Sequence, residues 1–77
     1  MKSYNYRILL RKEPEGGFTV TVPVLQGCIS YGETIDAAIK NAKEAIELYI
    51  ETLNEYNEEI PSEVDILEYN LTVNYNA

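Results

Sequence analysis

Cys28 is the side chain in this sequence best suited to act as a nucleophile, and Gly27 and Gly32 lie near enough to let a substrate approach it. A cysteine nucleophile needs a neighbouring base or cation that lowers the pKa of its thiol. The chain contains no histidine to serve as that base. We therefore predict that Cys28 is a small, buried apolar side chain beside a turn, without a catalytic role.

Carboxylates could also carry chemistry, because their oxygens bind magnesium. Four acids, Glu13, Glu15, Glu33 and Asp36, lie in predicted loops or at the start of a predicted helix. Acids at turns are usually solvated, and a zinc site would need several Cys or His residues, which this chain lacks. We expect no catalytic residue, no metal and no cofactor. A metal-dependent nuclease is kept as an alternative, which magnesium-dependent RNA cleavage would support.

Aromatic side chains on a sheet could stack RNA bases, and five are of a suitable type: Tyr4, Tyr6, Phe18, Tyr69 and Tyr75. Tyr4, Tyr6 and Phe18 lie in phase with apolar residues of their predicted strands, which favours a place in the core. The net charge of −7, from 13 acidic and 6 basic residues, disfavours nucleic acid and anionic membranes as partners. It favours a basic protein partner.

The compartment and the domain count follow from simple features of the chain. The first ten residues lack the apolar core and cleavage site of a signal peptide, and no apolar run approaches the roughly 20 residues of a membrane span. With a single, unpaired cysteine, this predicts a cytoplasmic protein. We expect one domain, residues 1–77, that buries only roughly 60% of its unfolded surface. A homodimer or higher homo-oligomer would supply further stability.

Alternation of apolar and polar residues predicts four strands. The first covers residues 4–11 and the second residues 18–22, where Pro23 ends it. The intervening KEPEGG sequence predicts a hairpin loop. A short third strand is predicted at residues 29–31. The last strand, residues 67–75, has a clean alternation and follows a polar linker.

A long amphipathic helix is predicted after Thr34, which is placed to act as its N-cap. Its outer face carries a narrow row of glutamates with Leu48 close by, which is either a solvated face or an acidic surface for a basic partner. With the acids at the helix start, the candidate partner-binding residues are Glu33, Asp36, Glu44, Glu47, Leu48, Glu51 and Glu55.

The predicted fold is α+β, with the element order β-β-β-α-β in two layers. Three strands form an antiparallel meander, and the helix covers one face of it. The crossover should be right-handed. The alternation of strand directions makes the C-terminal strand parallel to the first strand, so it can lie beside it. A long terminal strand on a loose linker can also pair with the sheet of a second copy.

The run GGFTVTVPVLQGCISYGETIDAAIKNAKEAIELYIETL, followed by the IP dipeptide, is similar to the HicB-like antitoxin family. The similarity extends from about residue 4 to residue 61. The residues that match the family pattern are Gly16, Gly17, Phe18, Pro23, Leu25, Gly27, Cys28, Gly32, Thr34, Ala38, Asn41, Ala42, Glu44, Ala45 and Pro61.

This resemblance implies a partial ribonuclease-H-like fold without that fold's catalytic acids. It also implies an antitoxin that binds and neutralises HicA, a small basic toxin that cleaves mRNA, as a dimer or higher oligomer. The sequence resembles the short form of the family, without the C-terminal DNA-binding domain that many members carry, so operator binding is not expected. The alternative function is a stand-alone oligomeric ligand-binding or regulatory module without a toxin partner.

The resemblance also suggests roles for the VPVLQGCISYGET stretch, residues 22–34, as a corner between two strands and the helix. Pro23 closes the second strand, and Cys28 packs into the core. Gly27 and Gly32 allow tight or positive-φ turns. Geometry accounts for these residues without catalysis.

Overall fold

The fold is a three-stranded antiparallel sheet followed by one long helix, as seen in a computed structural model that describes residues 2–76. The strands are β1 (Leu9–Lys12), β2 (Phe18–Thr21) and β3 (Ile29–Gly32), arranged in the order β1-β2-β3. The helix α1 spans Ile35–Glu55 and packs on one face of the sheet. The predicted α+β class, the antiparallel meander and the two-layer arrangement are confirmed.

The β1–β2 hairpin is closed by backbone hydrogen bonds around Glu13, whose amide donates to the Gly17 carbonyl (3.0 Å) and whose carbonyl accepts from the Gly16 amide (3.0 Å). Gly16 and Gly17 adopt φ values of 111° and 82°, a region in which side chains other than glycine are strained. The paired glycines of the KEPEGG loop therefore set this turn, as predicted.

The corner, residues 22–34, joins β2 to β3 and then to α1 by local hydrogen bonds. The Leu25 amide donates to the Val22 carbonyl (3.0 Å), the Cys28 amide to the Leu25 carbonyl (2.9 Å), and the Val22 amide to the Cys28 carbonyl (3.2 Å). Gly27 has a φ of 81°, as its predicted turn role requires. The corner therefore closes on itself within seven residues.

Gly32 has a different role from the predicted tight or positive-φ turn. It lies at the end of β3, and a Cβ atom added to it would stand 2.5 Å from the Ala38 Cα and 2.6 Å from the Ala37 carbonyl carbon. Glycine is needed here because the strand and the helix backbone are in direct contact, so a methyl group has no room. The prediction of a glycine-dependent corner is right, but the reason at Gly32 is close packing.

The ends of α1 are defined by two capping motifs. At the N-terminus the Thr34 hydroxyl accepts a hydrogen bond from the Ala37 amide (3.1 Å), as predicted. At the C-terminus Asn57 takes a left-handed φ of 55°, and its amide donates to Asn54 (3.2 Å) while the Glu58 amide donates to Leu53 (2.9 Å). This pattern is a Schellman motif, and it stops the helix where the apolar periodicity ends.

The core consists of two adjoining clusters between the sheet and α1. In the first, Val20 of β2 packs against Ala38 and Ala42 of the helix, and all three are at most 2% exposed. In the second, the corner residues Leu25 and Cys28 pack with Val22. Small alanines let the helix lie close to the sheet, as the Ala-rich spacing predicts.

Two predicted strands differ from the structure. The strand predicted at residues 4–11 begins only at Leu9, because the register pairs Leu9 with Thr21 and would place Arg7 opposite Pro23, which has no amide proton. The strand predicted at residues 67–75 is not confirmed, since the described residues of this segment contain no strand. Its predicted position beside β1 is therefore not confirmed either.

The segment at residues 67–76, hereafter the C-terminal arm, makes the molecule elongated. The Cα radius of gyration is 15.1 Å and the extents are 51 × 31 × 19 Å, whereas a compact chain of this length would have a radius of gyration of about 11.5 Å.

No helix among the described residues is long and apolar enough to span a membrane.

Candidate partner-binding surface

Cys28 lies in the corner with its side chain in the second core cluster, and the residue is only 6% exposed. This burial raises the pKa of the Cys28 thiol, because an apolar environment disfavours the charged thiolate. Both effects oppose reactivity with a substrate or an oxidant. The predicted place of Cys28 as a buried apolar side chain is confirmed.

The acids considered as metal ligands, Glu13, Glu15, Glu33 and Asp36, do not converge on a common point. Within the described part of the chain, no three Cys, His, Asp or Glu side chains lie close enough together to hold a metal ion. Glu33 and Asp36 instead flank the N-cap of α1, where negative charge interacts favourably with the helix dipole.

The predicted acidic face of α1 is present and exposed. Its glutamates project from the helix side opposite Ala38 and Ala42, because residues at these spacings fall within one sector of a helix with 3.6 residues per turn. Among residues 2–76 the ion pairs involve Arg7 alone as the cation, so Lys40 and Lys43 of α1 make no direct ion pair with this row. The exposed members of the predicted surface are Glu33, Asp36, Glu44, Glu47, Leu48, Glu51 and Glu55.

Leu48 lies beside this row and is 64% exposed. It lines an open groove of about 330 Å³ between α1 and the start of β3, together with Ile29, which is 63% exposed. The Tyr49 hydroxyl closes one side by donating to the Gln26 carbonyl (2.8 Å). We call this the β3-side groove. The sequence pattern indicated Leu48 as a surface residue. It did not indicate Ile29, which was predicted only as part of the third strand.

A second groove, of about 680 Å³, lies on the other flank of α1, between the helix and the residues that precede β1. We call it the β1-side groove. Its helix wall is formed by Ile39, Ile46 and Ile50, and its other wall includes Tyr4 and Ile8. These isoleucines belong to the predicted apolar stripe, but the helix packs on β2 and β3 and leaves Ile39 45% exposed.

Arg7 ties the chain that follows α1 to the residues that precede β1. Its Nε donates to Glu63 Oε1 (2.9 Å), its backbone amide to Glu63 Oε2 (3.0 Å), and its Nη1 to Glu68 Oε1 (3.2 Å). These carboxylates raise the pKa of the Arg7 guanidinium. The Tyr6 hydroxyl also donates to the Pro61 carbonyl (2.6 Å). Residues 61–68 are therefore anchored beside the residues that precede β1.

Burial raises the pKa of the Tyr6 hydroxyl, and the neighbouring Tyr4 and Glu63 raise it further. The rings of Tyr4 and Tyr6 are stacked, with centroids 6.3 Å apart and an interplanar angle of 8°. Tyr6 packs against the second core cluster, as predicted, whereas Tyr4 is 39% exposed and the arm residues Tyr69 and Tyr75 are more than 80% exposed.

The molecule is thus a small α+β protein with an acidic helix and a groove on each flank of that helix. A family model described as "HicB_like antitoxin of bacterial toxin-antitoxin system" matches residues 6–77. The chain belongs to the HicB-like antitoxin family.

Relatives and solved structures agree with this assignment. The chain is 50% identical over 60 residues to the UPF0150 protein ssr1765 of Synechocystis sp., covering 78% of this chain and 76% of that protein. It is 45% identical over 56 residues to the UPF0150 protein Ta0767 of Thermoplasma acidophilum, covering 73% and 81%.

The N-terminal domain of the antitoxin HicB from Burkholderia pseudomallei superimposes with a TM-score of 0.64 at 39% identity, covering 86% of this chain and 69% of that domain. The crystal structure of the Burkholderia pseudomallei antitoxin HicB gives a TM-score of 0.66 at 38% identity, and the match covers 88% of this chain and 46% of that protein.

Proposed function

We propose that this protein is an antitoxin that binds a small, basic, HicA-type ribonuclease toxin and neutralises it by covering its RNA-binding surface. The observation that carries the proposal is the family match over residues 6–77. In this proposal the protein acts by binding alone and has no catalytic residue, metal or cofactor of its own. It does not contact nucleic acid directly, because its net charge of −7 repels phosphates.

The acidic row on α1 is our candidate for the toxin-binding surface. The carboxylates of Glu44, Glu47 and Glu51 are exposed and lack lysine partners within the described residues. A basic toxin is attracted to such a row before contact, which raises the association rate. Exposed Leu48 at the edge of the row would add an apolar anchor, since interface centres are usually more apolar than their rims.

The two acids at the helix start and Glu55 at its end extend the candidate surface along the whole helix. We place this interaction in the cytoplasm, where a reducing environment suits a protein with a single unpaired cysteine.

The first experiment is co-expression of this chain with the small basic protein encoded beside it, followed by size exclusion with light scattering. Co-elution at a fixed ratio, together with rescue of growth from the toxic partner, is the expected result. A harmless or unbound neighbour would contradict the toxin-binding role. The β3-side groove of about 330 Å³ would then favour the alternative of a ligand-binding module, because its volume is within the range of small-molecule sites.

The second experiment tests the surface with two charge-matched triple variants. E44Q/E47Q/E51Q removes three charges from the row, and E15Q/E58Q/E59Q removes three exposed charges elsewhere. The row variant should lower the association rate with the toxin about tenfold at low salt and flatten its salt dependence. The control should change the rate much less. Equal effects of the two variants would show that the row is not the binding surface.

A further inference from the structure

We propose that the C-terminal arm is a fourth strand that pairs with a second copy of this chain. Residues 67–75 of each protomer lie along the free edge of β1 in its partner and fill the partner's β1-side groove. The resulting dimer exchanges two arms around a two-fold axis. The groove borders the acidic row proposed for the toxin at Glu47, whereas Glu44 and Glu51 lie outside it.

The arm carries the sequence pattern of a strand but makes none of a strand's contacts. Leu67, Tyr69, Leu71, Val73 and Tyr75 alternate with polar residues, and each of these five is at least 75% exposed. Five large apolar side chains in one exposed row are unusual on a soluble monomer. They indicate a surface that is buried in an assembly.

The surface proposed to accept the arm has unpaired backbone groups along β1 and apolar side chains in the β1-side groove. β1 pairs with β2 on one side only, so within residues 2–76 the other edge of β1 leaves its amides and carbonyls without ladder partners. The helix beside this edge presents Ile39 and Ile50 to the β1-side groove. A strand added at this edge would place alternate side chains against these isoleucines, because successive side chains of a strand point to opposite faces.

The arm does not pair with the β1 edge of its own protomer. Glu63 and Glu68 both contact the guanidinium of Arg7 although four residues lie between them, and the Ile66 amide donates to the Glu63 carbonyl in a turn (3.0 Å). The chain therefore makes a turn beside Arg7, and no described residue after α1 pairs with β1. This geometry favours a partner's sheet as the site where the arm pairs.

The dimensions fit a stable interface. An extended arm of nine residues is about 30 Å long, so it can span the four-residue edge of β1 and the residues that precede it. Two buried tyrosines contribute about 300–500 Å² per arm. Reciprocal exchange doubles this area before the aliphatic residues and the acceptor surface are counted, which approaches the roughly 1,600 Å² of a standard interface.

Charge gives the exchanged dimer a recognisable salt dependence. Each protomer carries a net charge of −7, so two copies repel each other and must associate through apolar contacts and backbone hydrogen bonds. Added salt screens this repulsion and should strengthen the dimer. Salt should weaken binding of a basic toxin to the acidic row, so the two associations can be told apart.

The test uses the full chain and two matched arm variants. L71D/V73D places charges on the apolar side of the arm, whereas T72D/N74D places the same charges on its polar side. Light scattering should show a dimer for the parent and the control, and a monomer or an at least roughly hundredfold weaker dimer for L71D/V73D. All four residues are exposed in the isolated chain, so each variant should keep the fold.

Hydrogen exchange and isotope-filtered NOEs complete the test. Amides of residues 67–75 should be protected in the parent dimer, and a mixture of labelled and unlabelled chains should show contacts from arm methyl groups to Ile39 or Ile50 of the other chain. A dimer that survives L71D/V73D unchanged would overturn the proposal. So would a monomer with a protected arm, or an arm that becomes protected only when the toxin binds.

Discussion

The corner at residues 22–34 and the C-terminal arm both contain many apolar residues, yet the corner buries its leucine and the arm leaves its leucines exposed. Leu25 of the corner is fully buried, whereas Leu71 of the arm is 78% exposed. The corner closes by three backbone hydrogen bonds within seven residues, and α1 then covers it. The arm has no such local closure, so its order depends on a distant partner strand.

The difference shows that an alternating pattern allows a segment to form a strand, but the strand forms only where a second strand supplies its backbone hydrogen bonds. A turn with glycine at a positive φ carries its own hydrogen bonds. A strand does not, because every one of its ladder bonds needs a second strand. Matched substitutions in the corner, in the arm and at the contacts with Arg7 test this contrast.

The largest effect is expected for Gly32→Ala in the corner. The added methyl group would meet the backbone of Ala37 and Ala38, so the strand and the helix must separate. We expect a loss of about 4 kcal/mol in the free energy of unfolding, which would unfold much of a chain of this size. Circular dichroism during urea titration measures it.

Gly27→Ala is the control for this substitution. Nothing lies within 4 Å of an added Cβ at Gly27, and only its φ of 81° opposes the change. The cost should be about 1 kcal/mol, from backbone strain alone. If Gly32→Ala cost no more than Gly27→Ala, the close contact between strand and helix would not be a determinant of stability.

The next largest effect is expected for Leu25→Ala in the corner. Leu71→Ala makes the same chemical change in the arm and serves as its comparison. Leu25 is fully buried, and its truncation should cost about 3 kcal/mol because it leaves a cavity. Leu71→Ala should cost less than about 0.5 kcal/mol in dilute protein. Urea titrations at low and high protein concentration measure both.

At high concentration the cost of Leu71→Ala should rise, because the exchanged dimer buries this side chain and mass action links its stability to concentration. The cost of Leu25→Ala should not depend on concentration in this way. A Leu71→Ala cost that stayed small at every concentration would argue that the arm is exposed in the assembled protein too.

The smallest of these three main effects is expected where Arg7 holds the segment that leads into the arm. Glu63 accepts two hydrogen bonds from Arg7 and its side chain is 9% exposed, whereas the Glu68 side chain is 56% exposed. Glu63→Gln should cost about 1.5 kcal/mol, and Glu68→Gln less than about 0.5 kcal/mol. Amide exchange of residues 61–66 should accelerate in the first variant more than in the second. Equal acceleration would show that Glu63 does not anchor the arm.

Most of the fold could be predicted because its signals are local. Thr34 predicts the N-cap through its side-chain oxygen, the paired glycines predict the hairpin, and alanines at helical spacing predict the buried helix face. The acidic row could be placed on one face of α1 for the same reason, since helix geometry alone decides it.

The remaining features depend on contacts between distant parts of the chain. The start of β1 at Leu9 follows from its register against β2, which a single-strand pattern does not contain. Ile29 lines the β3-side groove only because the start of β3 lies beside Leu48. The anchor between Arg7 and Glu63 spans 56 residues, and no local signal indicates it.

The sequence by itself determined the element order through β3 and α1, the caps, the turn glycines, the buried face of the helix and the acidic charge opposite it. These features depend on side-chain type and on spacing within a few residues. Only the tertiary structure decided that α1 covers β2 and β3 and leaves a groove beside β1, and that the arm stands free of its own sheet. Those outcomes depend on which distant backbone edges meet, because hydrogen bonds of a sheet and burial of an apolar face both require a partner surface.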